Sequence, residues 1–354
     1  MPRDTPLPPR VAGSLTDPIY VHGFSAVKWP LLRQLFPGRA LKRWTAPEPL
    51  SCDSTVVLWG ATPVPPTVSA GRVVRIEDGF LRSVGLGVDL TWPISWTVDT
   101  TGLHFDASSP SDLESILASA EWCGTAIARA ARLRARIVSS GITKYNVSGH
   151  PWQAPRTRRP VHLVVGQVPT DAAVQLAGQG VAFNCTLLER IRSEHPDAYI
   201  LYKVHPDIVA GMRRNDDAHA MLAASCDEIL TGADLNSVFA QVDRVHVATS
   251  LTGFEALLRG CQVHCYGRPF YAGWGLTVDH VEHSDRRRRR LTLDELVHGA
   301  LIDYPVYFAR GFSGLITPEA AVDRLAAERV RRRAAAPIAR QVLRAALRRV
   351  VGVR

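Results

Sequence analysis

A chain of 354 residues that is 46% hydrophobic and 21% charged is too apolar for a disordered polymer and long enough for two domains, each with its own core. Its formal charge of +9 would suit a nucleic-acid binder, but nine arginines and no acid fall in 329–354, and the rest of the chain balances 33 basic against 33 acidic residues. The excess therefore belongs to one tail, and no nucleic-acid partner is expected.

The first residues, "MPRDTPLPPRVAGSL", lack the apolar centre of a secretion signal, and no run approaches the roughly 20 apolar residues that cross a bilayer. Six cysteines (52, 123, 185, 226, 261, 265) form no CxxC pair, which fits reduced thiols rather than a disulfide framework or a zinc site. A cytoplasmic protein is expected, with any membrane contact peripheral. Residues 1–17 are expected to be a flexible N-terminus.

Three β-branched runs follow, "IYVHGFS" (19–25), "STVVLWG" (54–60) and "RVVRIEDG" (72–79), and predict strands. Apolar residues then recur every three or four positions in "PSDLESILASAEW" and "GTAIARAARLRARIVSSG", which predicts helices. This α/β pattern defines an N-terminal half over 18–146. The stretch 147–160, "VSGHPWQAPRTRRP", is rich in proline and arginine, has no periodicity, and is assigned as a linker. Beyond it "VHLVVGQ", "AYILYKVHP", "DRVHVATS" and "CQVHCYG" alternate with helical patterns such as "NCTLLERIRSEH" and "TGFEALLRG". Apolar strands alternating with helices predict a parallel sheet covered on both faces, a second half over 161–312. The fold class expected is α/β, two Rossmann-like halves facing a cleft, with a C-terminal helical extension over 313–354. Neither half carries a GxGxxG fingerprint.

Ligands of open α/β sheets bind beyond the carboxyl ends of the strands, and the residues there are chemically capable. The first half offers Glu77, Asp78 and Arg82 in "EDGFLRS". The second offers Gln167 and Asp171 in "GQVPTDAA", and Lys203, His205 and Pro206 in "KVHPD". A lone histidine is more often structural, but a lysine two positions earlier on the same side of the strand suits a phosphate. Ser250, Thr252, Gly253 and Glu255 open the helix in "TSLTGFE". Thr252 and Glu255 have capping-box spacing, and the same helix start also suits an anionic phosphate. In "YGRPFYAGWGLT", Tyr266, Phe270, Tyr271 and Trp274 are interleaved with glycines, so the rings either pack structurally, plug a domain interface or make a platform for a ring.

"EDG", "HP" and a later Ser/Thr pair resemble the motifs of bacterial sialyltransferases that use CMP-sugars. More closely, "RIEDGFLRSVGLG", "KYN" (144–146), "GQVPTDAA", "YKVHPD", "SLTGFEALLRG" and "YGRPFYAGWGLT" resemble the capsule polysaccharide synthesis family of β-Kdo transferases of KpsC type, from "HGFSAVKW" (22–29) to about "DYPVYF" (303–308). The resemblance implies a GT-B-like fold and transfer of Kdo from CMP-β-Kdo with retention of configuration, in building a capsule linker on a glycerophospholipid. This chain holds one such module rather than the tandem pair of the familiar form.

Retention needs two inversions, hence a carboxylate nucleophile and a second group that manages protons. Asp171, in the nucleotide half, is assigned as nucleophile, and Asp78, with Glu77 beside it, as base to the acceptor hydroxyl; the reverse assignment remains an alternative. Lys203, His205, Ser250 and Thr252 would stabilise the departing phosphate. Arg82 would hold the Kdo carboxylate or make a structural ion pair. No metal or other cofactor is expected, as there is no Asp-x-Asp pair. Over 338–351 an arginine stripe (340, 344, 348) opposes Val342, Leu343, Leu347 and Val350, as in a helix lying on an anionic membrane, here the inner membrane. Docked helix packing with a solvated basic face is the alternative for the tail, and "RRRRR" (286–290) is expected to be a solvated loop. Other capsule biosynthesis proteins are possible partners. The competing function is a non-catalytic assembly or export component.

Overall fold

The computed structural model describes residues 6–45, 50, 53–64, 72–86, 91–147, 149–177, 184–205 and 224–334. The chain divides into two compact units, each assembled from separate stretches. The first takes 1–82, 93–135 and 286–323; the second takes 83–92, 136–285 and the remainder from 324.

The first unit begins with β1 (Ile19–His22), β2 (Leu41–Arg43), β3 (Thr55–Trp59), β4 (Arg72–Asp78) and β5 (Ser95–Asp99). The second contributes β6 (Val161–Val165), β7 (Tyr199–Lys203), β8 (Glu228–Leu230), β9 (Arg244–Val247), β10 (Gln262–Cys265) and β11 (Val278–Asp279). The chain then returns to the first unit with β12 (Pro305–Phe308) and β13 (Leu315–Ile316).

Among the described residues, seven strands make the first sheet, in the order β13-β12-β5-β4-β3-β1-β2. Its β2, β1, β3 and β4 run parallel, whereas β5, β12 and β13 are antiparallel to their neighbours. A parallel pair needs a long crossover, normally a helix. None is present among the described residues between β4 and β5, and those strands pair antiparallel, Asp78 opposite Trp96. The unit is thus Rossmann-like over four strands and closed by a meander that includes residues 305–316. This corrects the boundary expected at 312, which assigned β12 to the other half and β13 to the C-terminal extension. Its core surrounds Trp96, fully buried, whose ring meets Phe308 at 5.1 Å and Trp59 at 5.7 Å between centroids.

The second sheet is parallel throughout, in the order β11-β10-β9-β6-β7-β8. All five residues of β6 are buried, as a strand covered on both faces requires. Strand order reverses between β6 and β9, which marks a topological switch point at their carboxyl ends.

Three further expectations are corrected. Residues 6–17 are packed rather than flexible: the turn of helix Pro9–Ala12 buries Val11, and Arg10 donates to the carbonyls of Asp303 (2.8 Å) and Tyr304 (2.6 Å). The expected linker is docked on the second unit, where Trp152 is buried and donates from Nε1 to Glu228 Oε1 at 3.0 Å. The arginines of 286–290 are not all solvated. Arg286 and Arg287 straddle the buried Glu114 carboxylate at 2.6 and 2.7 Å, and Arg289 pairs with Glu295 at 2.8 Å. The last helix among the described residues spans Pro318–Ala334, and the basic segment 338–351 lies outside them.

Candidate functional site

In the first unit, β4 alternates with Val74 and Ile76 buried, and ends on Glu77 and Asp78 at the carboxyl edge of the parallel strands. Glu77 Oε1 accepts the amide of Asp78 at 2.8 Å, and Arg82 Nε donates to Asp78 Oδ2 at 2.6 Å. Arg82 is thus engaged on Asp78, the ion pair named as the alternative to holding the Kdo carboxylate. Asp78 Oδ1 is buried and without a hydrogen bond among the described residues, an acceptor held ready at the strand end. Glycine must follow these acids, because a Cβ at Gly79 would lie 2.1 Å from Ser95 Oγ and 2.8 Å from Ser95 Cβ. At Gly60, whose φ is +51°, a Cβ would lie 2.6 Å from Glu77 Oε2, so the neighbouring strand end also makes room for the pair.

Sequence reasoning missed Lys28. Its Nζ lies 2.8 Å from the Trp59 ring centre, and burial pushes its ammonium down to about 8, with Asp78 and then Glu77 pulling it back up and Arg82 pushing it further down. Since the folded value lies below the usual 10.5, the unfolded chain binds more protons between pH 8 and 10.5, and Lys28 makes stability rise with pH across that window. Replacing Asp78 by asparagine removes an anion that favours the ammonium. The Lys28 midpoint is then expected to fall below 8 in NMR titration of ¹³C-dimethylated lysines; an unmoved midpoint would contradict the coupling.

In the second unit the residues gather at the switch point. Gln167, just beyond β6, receives the amide of Thr249 at 2.7 Å and donates from Nε2 to Thr249 Oγ1 at 3.0 Å, tying the ends of β6 and β9 together. Asn184 fixes it from the helix Asn184–Glu194: its Oδ1 accepts the Gln167 amide at 2.8 Å and its Nδ2 donates to the Gln167 carbonyl at 2.9 Å. Lys203 ends β7, and half-buried His205 follows; Pro206 lies outside the described residues. Asp171 stands immediately before the short helix Ala172–Ala177, its carbonyl accepting the amides of Val174 and Gln175 at 3.0 Å.

Ser250, not Thr252, caps the helix Leu251–Leu258, its Oγ accepting the Thr252 amide at 3.2 Å. Glu255 therefore does not close a capping box. It is buried and accepts the amide of Lys144 at 2.7 Å. Burial pushes the Glu255 carboxyl up, opposed by that amide and by Arg259, Lys203 and Lys144; burial pushes Lys203 down, opposed by Glu255. The "KYN" turn thus acts through its backbone, and Asn146, at φ 49°, holds the turn by donating to the carbonyls of Ser83 and Thr143 at 3.0 and 2.8 Å.

The aromatic run is core rather than a platform. Tyr266, Tyr271 and Trp274 are fully buried and Phe270 nearly so. Tyr271 donates its hydroxyl to the Ser250 carbonyl, and a Cβ at Gly253 would lie 2.3 Å from that hydroxyl oxygen. The rings thus set the start of the helix from beneath, and glycine at 253 is what lets Tyr271 in. Trp274 Nε1 donates to the Phe270 carbonyl at 2.8 Å, and Gly273 and Gly275 turn the chain at φ +84° and +81°.

The structure brings Lys28, Glu77, Asp78 and Arg82 together in one unit, and gathers Gln167, Lys203, Ser250, Thr252 and Glu255 at one sheet edge in the other. A family model described as capsule polysaccharide biosynthesis protein matches residues 56–146 and 131–307. The capsule polysaccharide modification protein LipA of Neisseria meningitidis serogroup B (strain ATCC BAA-335 / MC58) is 41% identical over 262 residues, 73% of this chain. This chain spans only 37% of LipA's length. The lipopolysaccharide-processing protein LpsZ of Rhizobium meliloti is 38% identical over 299 residues, 81% of this chain and 68% of LpsZ. Among solved structures, the beta Kdo 2,7 transferase of Thermosulfurimonas dismutans KpsC superposes with a TM-score of 0.74 at 32% identity, covering 88% of this chain and 99% of its own. The beta Kdo 2,4 transferase of the same KpsC gives 0.73 at 30% identity, covering 87% and 98%.

Proposed function

This chain belongs to the capsule polysaccharide biosynthesis family, and from that premise we propose that it is a glycosyltransferase that moves Kdo from CMP-β-Kdo, with retention, onto a lipid-linked acceptor. The observation that carries this reading is its likeness to two Kdo transferases over nearly their whole lengths. Support from the fold comes from the polar residues at the switch point of the second sheet, the position where α/β sheets bind nucleotides.

Asp171 attacks the anomeric carbon, and the C–O bond to the CMP phosphate breaks, leaving an inverted glycosyl ester. Lys203 and His205, with the hydroxyls of Ser250 and Thr252, meet the charge that collects on the departing phosphate. Asp78 then takes the proton of the acceptor hydroxyl as its oxygen attacks the same carbon, restoring the original configuration and freeing Asp171. Arg82 fixes the rotamer of Asp78 through the 2.6 Å bond. The glycerophospholipid part of the acceptor would reach the site at an anionic membrane engaged by the basic tail.

The test is incubation with CMP-Kdo and a glycerophospholipid-linked acceptor. CMP should be released in step with an acceptor mass gain of one Kdo, and NMR of the product should show a β linkage. No CMP release under any acceptor, or an α-linked product, would sink the reading.

A further inference from the structure

The strands of the second sheet, rather than the loops beyond them, carry histidines in otherwise apolar runs: His162 on β6, His246 on β9 and His264 on β10. His246 pairs in register with His264 on one side and Val164 on the other, and alternation puts His162 on the same face as Val164. His195, directly after the helix Asn184–Glu194, sets its ring edge-on to His162 at 4.7 Å between centroids. One ring nitrogen from each of His162, His195 and His246 lies within 4.8 Å of the other two.

The hydrogen bonds decide which nitrogens are bare. Arg190 Nε holds Glu194 Oε1 at 2.7 Å and favours the ionised carboxylate, so Glu194 Oε2 accepts the Tyr266 hydroxyl proton at 3.2 Å. With that proton committed, Tyr266 Oη accepts from His246 Nδ1–H at 3.2 Å. Neutral His246 then presents a lone pair at Nε2, 3.1 Å from His162 Nδ1. His162 is 1% exposed, and its Nε2 has no hydrogen-bond partner among the described residues, so that nitrogen is open to hold the ring's proton when Nδ1 gives it up.

We propose that His162, His195 and His246 bind a first-row transition-metal dication, Zn²⁺ being the probe of choice. Imidazole nitrogens bound to tetrahedral zinc at about 2.0–2.1 Å stand about 3.3 Å apart, and the 3.1 Å between His246 and His162 is close to that spacing. A metal bound by His246 Nε2 and His162 Nδ1 displaces the proton between them, which moves to His162 Nε2 as that ring changes tautomer. Half-buried His195 completes the set by a side-chain movement, and water fills the fourth position. The chain from Glu194 through Tyr266 fixes the His246 ring as ligand-bound histidines require. Arg190 and Arg244 nearby oppose a further cation, and Glu194 and Asp243 offset them. The bound ion would tie β6, β9 and the helix end together.

The test is direct binding to chelator-treated protein, with no substrate present. One equivalent of Zn²⁺ per chain is expected by mass spectrometry of desalted protein, and Co²⁺ should give the visible bands of tetrahedral coordination. His195→Ala, at a half-buried position, should weaken binding by about tenfold or more, as should His162→Gln; Tyr266→Phe, which leaves every ligand in place, should weaken it by about tenfold. His150→Ala, at an exposed position outside the cluster, should change nothing. Failure to bind an equivalent, or undiminished binding in both His195→Ala and His162→Gln, overturns the proposal.

Discussion

Asp171→Ala is expected to reduce Kdo transfer by about 10⁴-fold or more and Asp78→Asn by about 10²–10⁴-fold, the ranges for losing a covalent nucleophile and a general base. The two differ in what they leave on the protein. Without its base, the second step stalls, so Asp78→Asn should accumulate a glycosyl adduct of one Kdo in intact-protein mass spectra after donor treatment. Asp171→Ala should show none. Asparagine keeps an oxygen for Arg82 Nε, now 2.6 Å from Asp78 Oδ2, so the loss reads as chemistry rather than collapse of the strand end. If the adduct vanishes only in Asp78 variants, the two carboxylates exchange roles.

Glu255→Ala should destabilise the second unit by about 3 kcal/mol, the cost of breaking a buried charged pair by deleting one partner, seen as a fall in Tm of about 6–12 °C. Burying Glu255 as a carboxylate is itself unfavourable, which is why its carboxyl is pushed up. What decides the sign is that Ala leaves the Lys144 amide without its 2.7 Å acceptor and leaves Lys203 and Arg259 without the carboxylate that offsets their own burial. Glu255→Gln retains an acceptor and should lose less than half as much. Equal Tm values for the Ala variant and the unmodified protein would show that the site does not depend on this group.

The strand-end residues were legible because each follows directly on an apolar run, and chain connectivity alone carries them to a sheet edge. Lys28 was not legible: only folding brings it over Trp59 beside the acids. The return of β12 to pair with β5 was equally hidden, since an antiparallel contact between distant segments leaves no local pattern. In the aromatic run the interleaved glycines left packing, an interface plug and a ring platform all open, and Gly273 and Gly275 in fact serve tight turns beside the buried rings. Thr252 and Glu255 had the spacing of a capping box, but the helix is capped two residues earlier, by Ser250, and the acid is drawn to a backbone amide instead. Two members of the histidine cluster, His162 and His246, had a readable signal in "VHLVV" and "RVHV", each placing one imidazole inside a buried strand, whereas His195 at a helix end had none.

The register of Pro305 with Thr97 also orders the events of synthesis. As the ribosome works from the N-terminus, β5 emerges long before the partner that will cover its free side. In that interval the nascent first sheet presents an unpaired backbone edge, the surface most open to strand exchange with another chain. The second unit's six described strands are all translated within that gap.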